Sequence, residues 1–334
     1  MHRSGTSLVA EMLHRWGAFG RVAECLPANQ WNAHGYWELA PLVDFNNRLL
    51  AAVGATWTCP PDASEDAKLT ALARQPAYRA EALQLLASMK GSQNGNWFWK
   101  DPRLSLLLPF WQQLWGDVRY VICVRDPLEI CRSLRERDDL NFGISIVLWQ
   151  RYMLAILERT SNARAIFLSY SALLQNSAHE CLRLSRFLSR STKTDSANVS
   201  LKAMRAAVDS ELRHFSAKAR HERLLLDKSQ TALQTLLECL AQSRVTGEKL
   251  HLRPYALPAF WRSGLQANLL LRRCWLRWNR LFQTLPTNTS DVNELSQALA
   301  LGTLEVSTSL TDSGYASSAF CQLAALSILT EPRP

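Results

Sequence analysis

No run of this sequence approaches the ~20 consecutive apolar residues that a membrane-spanning helix requires. The N-terminus also lacks the basic, apolar and small-residue succession of a signal peptide. Both absences argue against secretion and integral membrane insertion, and we expect a cytoplasmic protein. The eight cysteines, at 25, 59, 123, 131, 181, 239, 274 and 321, contain no C-x-x-C pair and no zinc-like spacing. They read as free thiols in a reducing compartment. The seven histidines are equally scattered, with no H-E-x-x-H, so we expect no metal. Acidic residues are scarce: 29 Asp and Glu stand against 38 Lys and Arg, a net charge of +9. Between residues 249 and 290 there is neither Asp nor Glu. This excess favours an anionic partner, whether nucleotide, nucleic acid, acidic lipid or acidic glycan, without choosing among them.

What is present fits a globular chain. With 334 residues, 47% hydrophobic and 20% charged, it can hold one large domain or two small ones. At that size roughly three quarters of the unfolded surface is buried, so no disulfide or metal staple is needed. Apolar positions Leu8, Val9, Met12, Leu13 and Trp16 recur at helical spacing directly after the small-residue loop Ser4-Gly5-Thr6. Residues 20–60 look loop-like, with a helix near 41–52, and after a polar stretch over 60–75 a further helix is predicted at 77–90. Trp97-Phe98-Trp99 reads as a short aromatic strand ending at Lys100. Residues 119–124 are the clearest strand, a nearly continuous apolar run of the kind buried on both faces. Asp126 and Pro127 open the next helix as cap and first residue, with Glu129 completing a D-x-x-E box. A long helix over about 142–160 and a buried strand at 165–168 follow. Strand, helix, strand and helix in that order imply an α/β fold with a parallel sheet. Residues 200–245 read as mostly helical. No internal repeat is evident.

Two loops carry chemistry. Arg3-Ser4-Gly5-Thr6-Ser7 before a helix is a small-residue anion loop. Glycine permits the tight turn, successive N–H groups and the helix N-terminus can surround phosphate oxygens, Thr6 and Ser7 add hydroxyls, and Arg3 adds charge. The ATP-type pattern G-x-x-x-x-G-K-S/T is absent; an ordinary capped helix is the alternative for this segment alone. The second loop follows the clear strand. Arg125 stands at its carboxyl edge, where open α/β sheets bind ligands. Ser133 lies eight residues later, on the helix that Asp126 opens. An arginine and a hydroxyl so placed can hold a second phosphate.

His2-Arg3-Ser4-Gly5-Thr6-Ser7-Leu8 resembles the 5′-phosphosulfate loop of sulfotransferases that use 3′-phosphoadenosine-5′-phosphosulfate (PAPS). Arg125-Asp126-Pro127-Leu128 through Ser133 resembles their 3′-phosphate motif. Trp99-Lys100-Asp101-Pro102-Arg103 and Trp149-x-Arg151 resemble bacterial members. The likeness runs over roughly residues 1–190. It implies a P-loop nucleotide-kinase-like fold of parallel sheet and flanking helices, and in-line transfer of a sulfuryl group to a hydroxyl, with carbohydrate as the first expectation. Arg3, Ser4, Gly5, Thr6, Ser7, Arg125 and Ser133 would bind PAPS. Arg3 stands where many members have a lysine, beside the leaving oxygen, and Lys100 would touch the transferring group. Arg103 would bind cofactor or an acidic acceptor, or form a surface ion pair.

Many relatives place a histidine base shortly after the lysine motif, where this chain has Asp101-Pro102-Arg103. Glu38, in a Gly-aromatic-Glu segment like that of bacterial members, is the base we expect, as a carboxylate near the acceptor hydroxyl. A helix N-terminal acid is its alternative, Asp101 is second choice and His34 third. The tryptophans at 31, 37, 57, 97, 99, 111 and 115 are read mainly as core, with a sugar-binding wall as the other possibility. Residues 1–248 would form the sulfotransferase domain, and 249–334 a basic, then Ser/Thr/Ala-rich, weakly structured extension. Its stretch 262–283 could lie on an anionic membrane surface. Nucleic acid is not expected, since only charge and tail favour it. Family members carry a strand before the phosphate loop, whereas this sequence opens on the loop; we expect strand-like sequence to be encoded directly upstream. The rival functions are a kinase-like nucleotide-dependent transferase, and a degenerate nucleotide- or glycan-binding protein without turnover.

Overall fold

The computed structural model describes residues 1–18, 24–32, 35–61, 63–90, 96–160, 163–189, 201–208, 226 and 228–242. The expectations for His34, for the boundary at 248 and for the stretch 262–283 lie outside them. Helix α1 spans Thr6–Arg15, α2 Ala40–Ala52, α3 Ala63–Leu72, α4 Pro76–Lys90 and α5 Leu104–Trp111. Then come β1 (Arg119–Val124), α6 (Pro127–Asp138), α7 (Phe142–Thr160) and β2 (Arg164–Ser169). They are followed by α8 (Tyr170–Gln175), α9 (Ser177–Leu188), a helical turn α10 at 201–205, and α11 (Lys228–Gln242).

Among the described residues the sheet has two strands, β1 and β2, paired in parallel from Arg119 opposite Arg164 to Val124 opposite Ser169. Parallel neighbours need a crossover, and α6 and α7 supply it. The expected parallel α/β arrangement is therefore present, as a small sheet among many helices. At the sheet's carboxyl edge Val124 hands on to Arg125 and Ser169 to Tyr170.

Helix α1 buries Leu8, Val9, Met12 and Leu13 in one cluster with Cys123 of β1, Ile166 and Leu168 of β2, and Tyr170, Leu173, Cys181, Leu184 and Phe187 of α8 and α9. Burying that stripe fixes α1 on the sheet, and the loop before it falls at the sheet's carboxyl edge. Helix α11 also packs on both strands. A second apolar centre lies among α2, α5 and the 99–115 segment. There the Trp111 ring meets Phe45, Phe110, Trp99 and Trp115 at centroid distances of 4.6 to 6.0 Å.

One sequence expectation needs correction, and one stretch without a predicted element gains a helix. Trp97-Phe98-Trp99 is not a strand: Trp97 makes a bridge pair, and 98–100 lie outside regular structure. The Trp99 ring is drawn edge-on to Trp111 rather than standing on a sheet face. The polar stretch 60–75, for which the sequence reading names no element, contains α3. Leu69, Leu72 and Ala73 are buried, α3 packs on α5, and Asp66 takes Arg159 at 2.6 Å and Arg151 at 3.6 Å. No helix among the described residues is long and apolar enough to cross a membrane.

Candidate active site

The N-terminal loop is held in strained backbone. Arg3 has φ 61° and Gly5 φ 90°, both in the left-handed region. Glycine is required at position 5 for a second reason, since a Cβ there would collide with the Tyr170 ring. No side chain caps α1 at Gly5. The first-turn N–H groups at Thr6 and Ser7 thus have the geometry and dipole that suit an anion. Ser4 is buried and its hydroxyl donates to the Met1 carbonyl at 2.7 Å. The Ser7 hydroxyl accepts from Asn32 Nδ2 at 3.0 Å and from Lys100 Nζ at 3.4 Å.

The second motif meets the first. Asp126 caps α6 by accepting from the Leu128 N–H at 2.8 Å, with Pro127 as the first helical residue. Arg125, just before the cap, donates from Nη1 to the Arg3 carbonyl at 3.0 Å and from Nε to Glu129 at 2.9 Å. Its guanidinium carbon lies 4.4 Å from the centre of the Tyr170 ring. Ser133 is buried, and its hydroxyl accepts from Arg3 Nε at 2.6 Å. Arg3 Nη1 donates to the Trp31 carbonyl at 3.0 Å. The Arg3 side chain thus reaches the hydroxyl of the second motif, while the cation on Ser7 is Lys100. Burial, then Arg137 and Arg125, pull the Arg3 pKa below its ordinary value.

Glu38 and Lys100 form a buried ion pair, Nζ to Oε1 at 2.6 Å, and Nζ also donates to the Tyr36 carbonyl at 2.7 Å. Trp37, at φ 57°, and Gly35, at φ 80°, supply the sharp turn that brings 36–38 to Lys100; strain of this kind is held where the surroundings over-determine it. The other Glu38 oxygen receives Arg103 Nη1 at 3.3 Å. Arg103 also pairs with Asp101 at 2.9 Å. Asp101 further accepts from Asn46 Nδ2 and from the Arg103 N–H, both at 2.8 Å, and the Trp111 indole donates to Asn46 Oδ1 at 2.9 Å. Burial lowers the Lys100 pKa, against the opposing pull of Glu38 and Asp101. Burial also weighs on Arg103, but Asp101 and Glu38 outweigh it and its pKa rises. His2 is pushed well below an ordinary imidazole by burial, then by Arg103 and Arg137, and its ring lies 4.5 Å from Trp57.

Of the sequence-predicted residues, Arg3, Arg125 and Ser133 are brought together, as are Ser7, Lys100 and Glu38. Asp101 and Arg103 join the second group as a buried lattice rather than a surface pair. Arg151 lies elsewhere: it donates to the Pro61 carbonyl at 2.6 and 2.8 Å and packs the 57–61 segment on α7. Sequence reasoning missed Asn32, Tyr36 and Tyr170. Only Tyr170 had a signal, its place directly after the second buried strand. Glu129 was read as a helix-capping acid, and the structure gives it the Arg125 guanidinium.

A strand edge, an anion-ready helix start and a buried cation at that start meet at this point of the fold. The sulfotransferase family model matches residues 1–195. The chain belongs to the sulfotransferase family, whose chemistry is sulfuryl transfer. Comparison with curated proteins and with solved structures finds no match.

Proposed function

We propose that the protein transfers the sulfuryl group of PAPS to a hydroxyl of a carbohydrate in the cytoplasm, on a P-loop-like fold. The observation that carries the reading is the junction of the two motifs through Arg3, Ser133 and Arg125, beside Lys100 on Ser7. When bound, PAPS supplies an activated sulfuryl group and a bisphosphate leaving group. In this reading the α1 N–H groups and the Thr6 and Ser7 hydroxyls hold the 5′-phosphosulfate, and Arg125 and Ser133 hold the 3′-phosphate. Lys100 neutralises charge on the transferring oxygens, the electrostatic contribution on which such transfer depends.

Glu38 takes the proton of the attacking hydroxyl. Both its oxygens hold cations in this structure, so one must be released as the acceptor arrives, and Lys100 turns from carboxylate to sulfuryl oxygen. The new bond joins the acceptor oxygen to sulfur. The bond from sulfur to the 5′-phosphate oxygen would break with its electron pair on that oxygen, which the N–H groups at the start of α1 would stabilise, since the Arg3 side chain is turned to Ser133.

The test is to incubate the chain with sulfur-radiolabelled PAPS and a polysaccharide mixture and count label in the polymer. The reading predicts label that Lys100→Ala abolishes. Transfer of the γ-phosphate from ATP with Mg²⁺, and none from PAPS, would overturn it in favour of a kinase-like enzyme.

A further inference from the structure

The seat assigned above to the 3′-phosphate contains more positive charge than its two motif residues provide. Ser133 and Arg137 lie four residues apart on α6, so they share a face, with Arg137 about 6 Å further along the axis. The Ser133 hydroxyl accepts from Arg3 Nε at 2.6 Å, and Arg125 donates to the Arg3 carbonyl. Arg3 is therefore flanked by the start of α6 on one side and the Ser133–Arg137 face on the other.

The charges do not balance. Arg125 is paired with Glu129 at 2.9 Å and Arg137 with its neighbour Asp138 at 2.8 Å. Arg3 forms no ion pair among the described residues; its Nε donates to the Ser133 hydroxyl and its Nη1 to the Trp31 carbonyl. An unmatched guanidinium, partly buried beside two others, is costly unless an anion completes the set. The same crowding shows in Arg3, whose pKa is lowered by burial and then by Arg137 ahead of Arg125. A phosphate dianion has the charge and the oxygens to accept from several guanidinium forks at once.

We propose that Arg137 is a third guanidinium of this seat and reads the donor's 3′-phosphate together with Arg3 and Arg125 around the Ser133 hydroxyl. The proposal rests on the PAPS reading and adds a specificity-determining residue to it. The other role for an arginine in the last turn of α6 is to offset the helix dipole, which would contribute to stability and leave nucleotide preference untouched.

Calorimetry on the full chain separates these roles. Adenosine 3′,5′-bisphosphate and 5′-AMP are each titrated, and the ratio of their affinities measures recognition of the 3′-phosphate alone. Arg137→Gln is expected to cut that ratio by about 10-fold with 5′-AMP binding unchanged. Arg137→Lys should retain part of it, and decides the matter if the glutamine variant fails to fold. Arg135→Gln, on the exposed opposite face, should leave the ratio alone. A ratio preserved in both Arg137 variants, or an equal loss of affinity for both nucleotides, would overturn the proposal. A native chain that does not prefer the bisphosphate would instead overturn the PAPS reading beneath it.

Discussion

At Gly5 two constraints coincide, a φ of 90° and the Tyr170 ring where a Cβ would stand. Gly5→Ala must therefore either unwind the loop or displace Tyr170, on which the Arg125 guanidinium stacks. We expect a loss of about 1–3 kcal/mol in denaturant unfolding together with loss of nucleotide binding; an alanine variant of native stability and affinity would contradict the geometry. Lys100 makes a prediction in pH. Burial lowers its pKa, so its charge is lost below the ordinary lysine value of about 10.4. Activity that needs the cation should fall on an alkaline limb beneath that value, and Lys100→Arg should move the limb upward in whatever activity it keeps. Stability runs the other way. Between the lowered pKa and the ordinary one the unfolded chain binds more protons, so the fold gains as pH rises through that window. A limb unmoved by the arginine variant would show that another group titrates.

Helix α6 joins fold and site most directly, because its cap Asp126 adjoins Arg125 and its second turn presents Ser133. Removing the cap in Asp126→Ala should cost about 1 kcal/mol, read in thermal unfolding. It should also weaken bisphosphate binding by freeing the start of the helix that positions Arg125; a stability loss with binding intact would uncouple the two. The elements legible in the sequence were α1, α2, α4, β1, α6, α7 and β2, marked by an apolar stripe, a continuous apolar run or a cap. Helix α5 was illegible because Leu104–Trp111 is apolar on every side and contains Pro109, so no stripe stands out. Helix α3 was hidden because much of its anchoring is ionic, through Asp66 to Arg159 and Arg151. The spacing from Arg125 to Ser133 could be read from the chain, being local to one strand–helix junction. That Arg3 would reach Ser133, 130 residues away, depends on α1 packing against the sheet, which no local pattern encodes. The tryptophans divide likewise: Trp111 is fully buried while Trp31 is 36% exposed, a difference set by tertiary packing alone.

Across the molecule, buried charge ties together segments far apart in the chain. Glu38, Lys100, Asp101 and Arg103 link the turn before α2 to the turn before α5, and Lys100 carries that link to α1 through Ser7. Breaking one partner of such a network leaves the others uncompensated, so fold and chemistry should fail together there. His2 adds an acid-side limit. Its pKa is held well below the ordinary 6.5 by burial and neighbouring cations, so below that pH the unfolded chain takes a proton the folded one refuses. Stability should decline as pH drops beneath about 6.5, and His2→Gln should make the decline shallower in urea unfolding; identical slopes would remove His2 from the account. The central claim is that one donor spans both motifs. A crystal structure of the chain with adenosine 3′,5′-bisphosphate tests it most directly. The account predicts the 5′-phosphate at the start of α1 on Thr6 and Ser7, and the 3′-phosphate between Arg125 and Ser133. A nucleotide whose phosphates bypass either motif would contradict it.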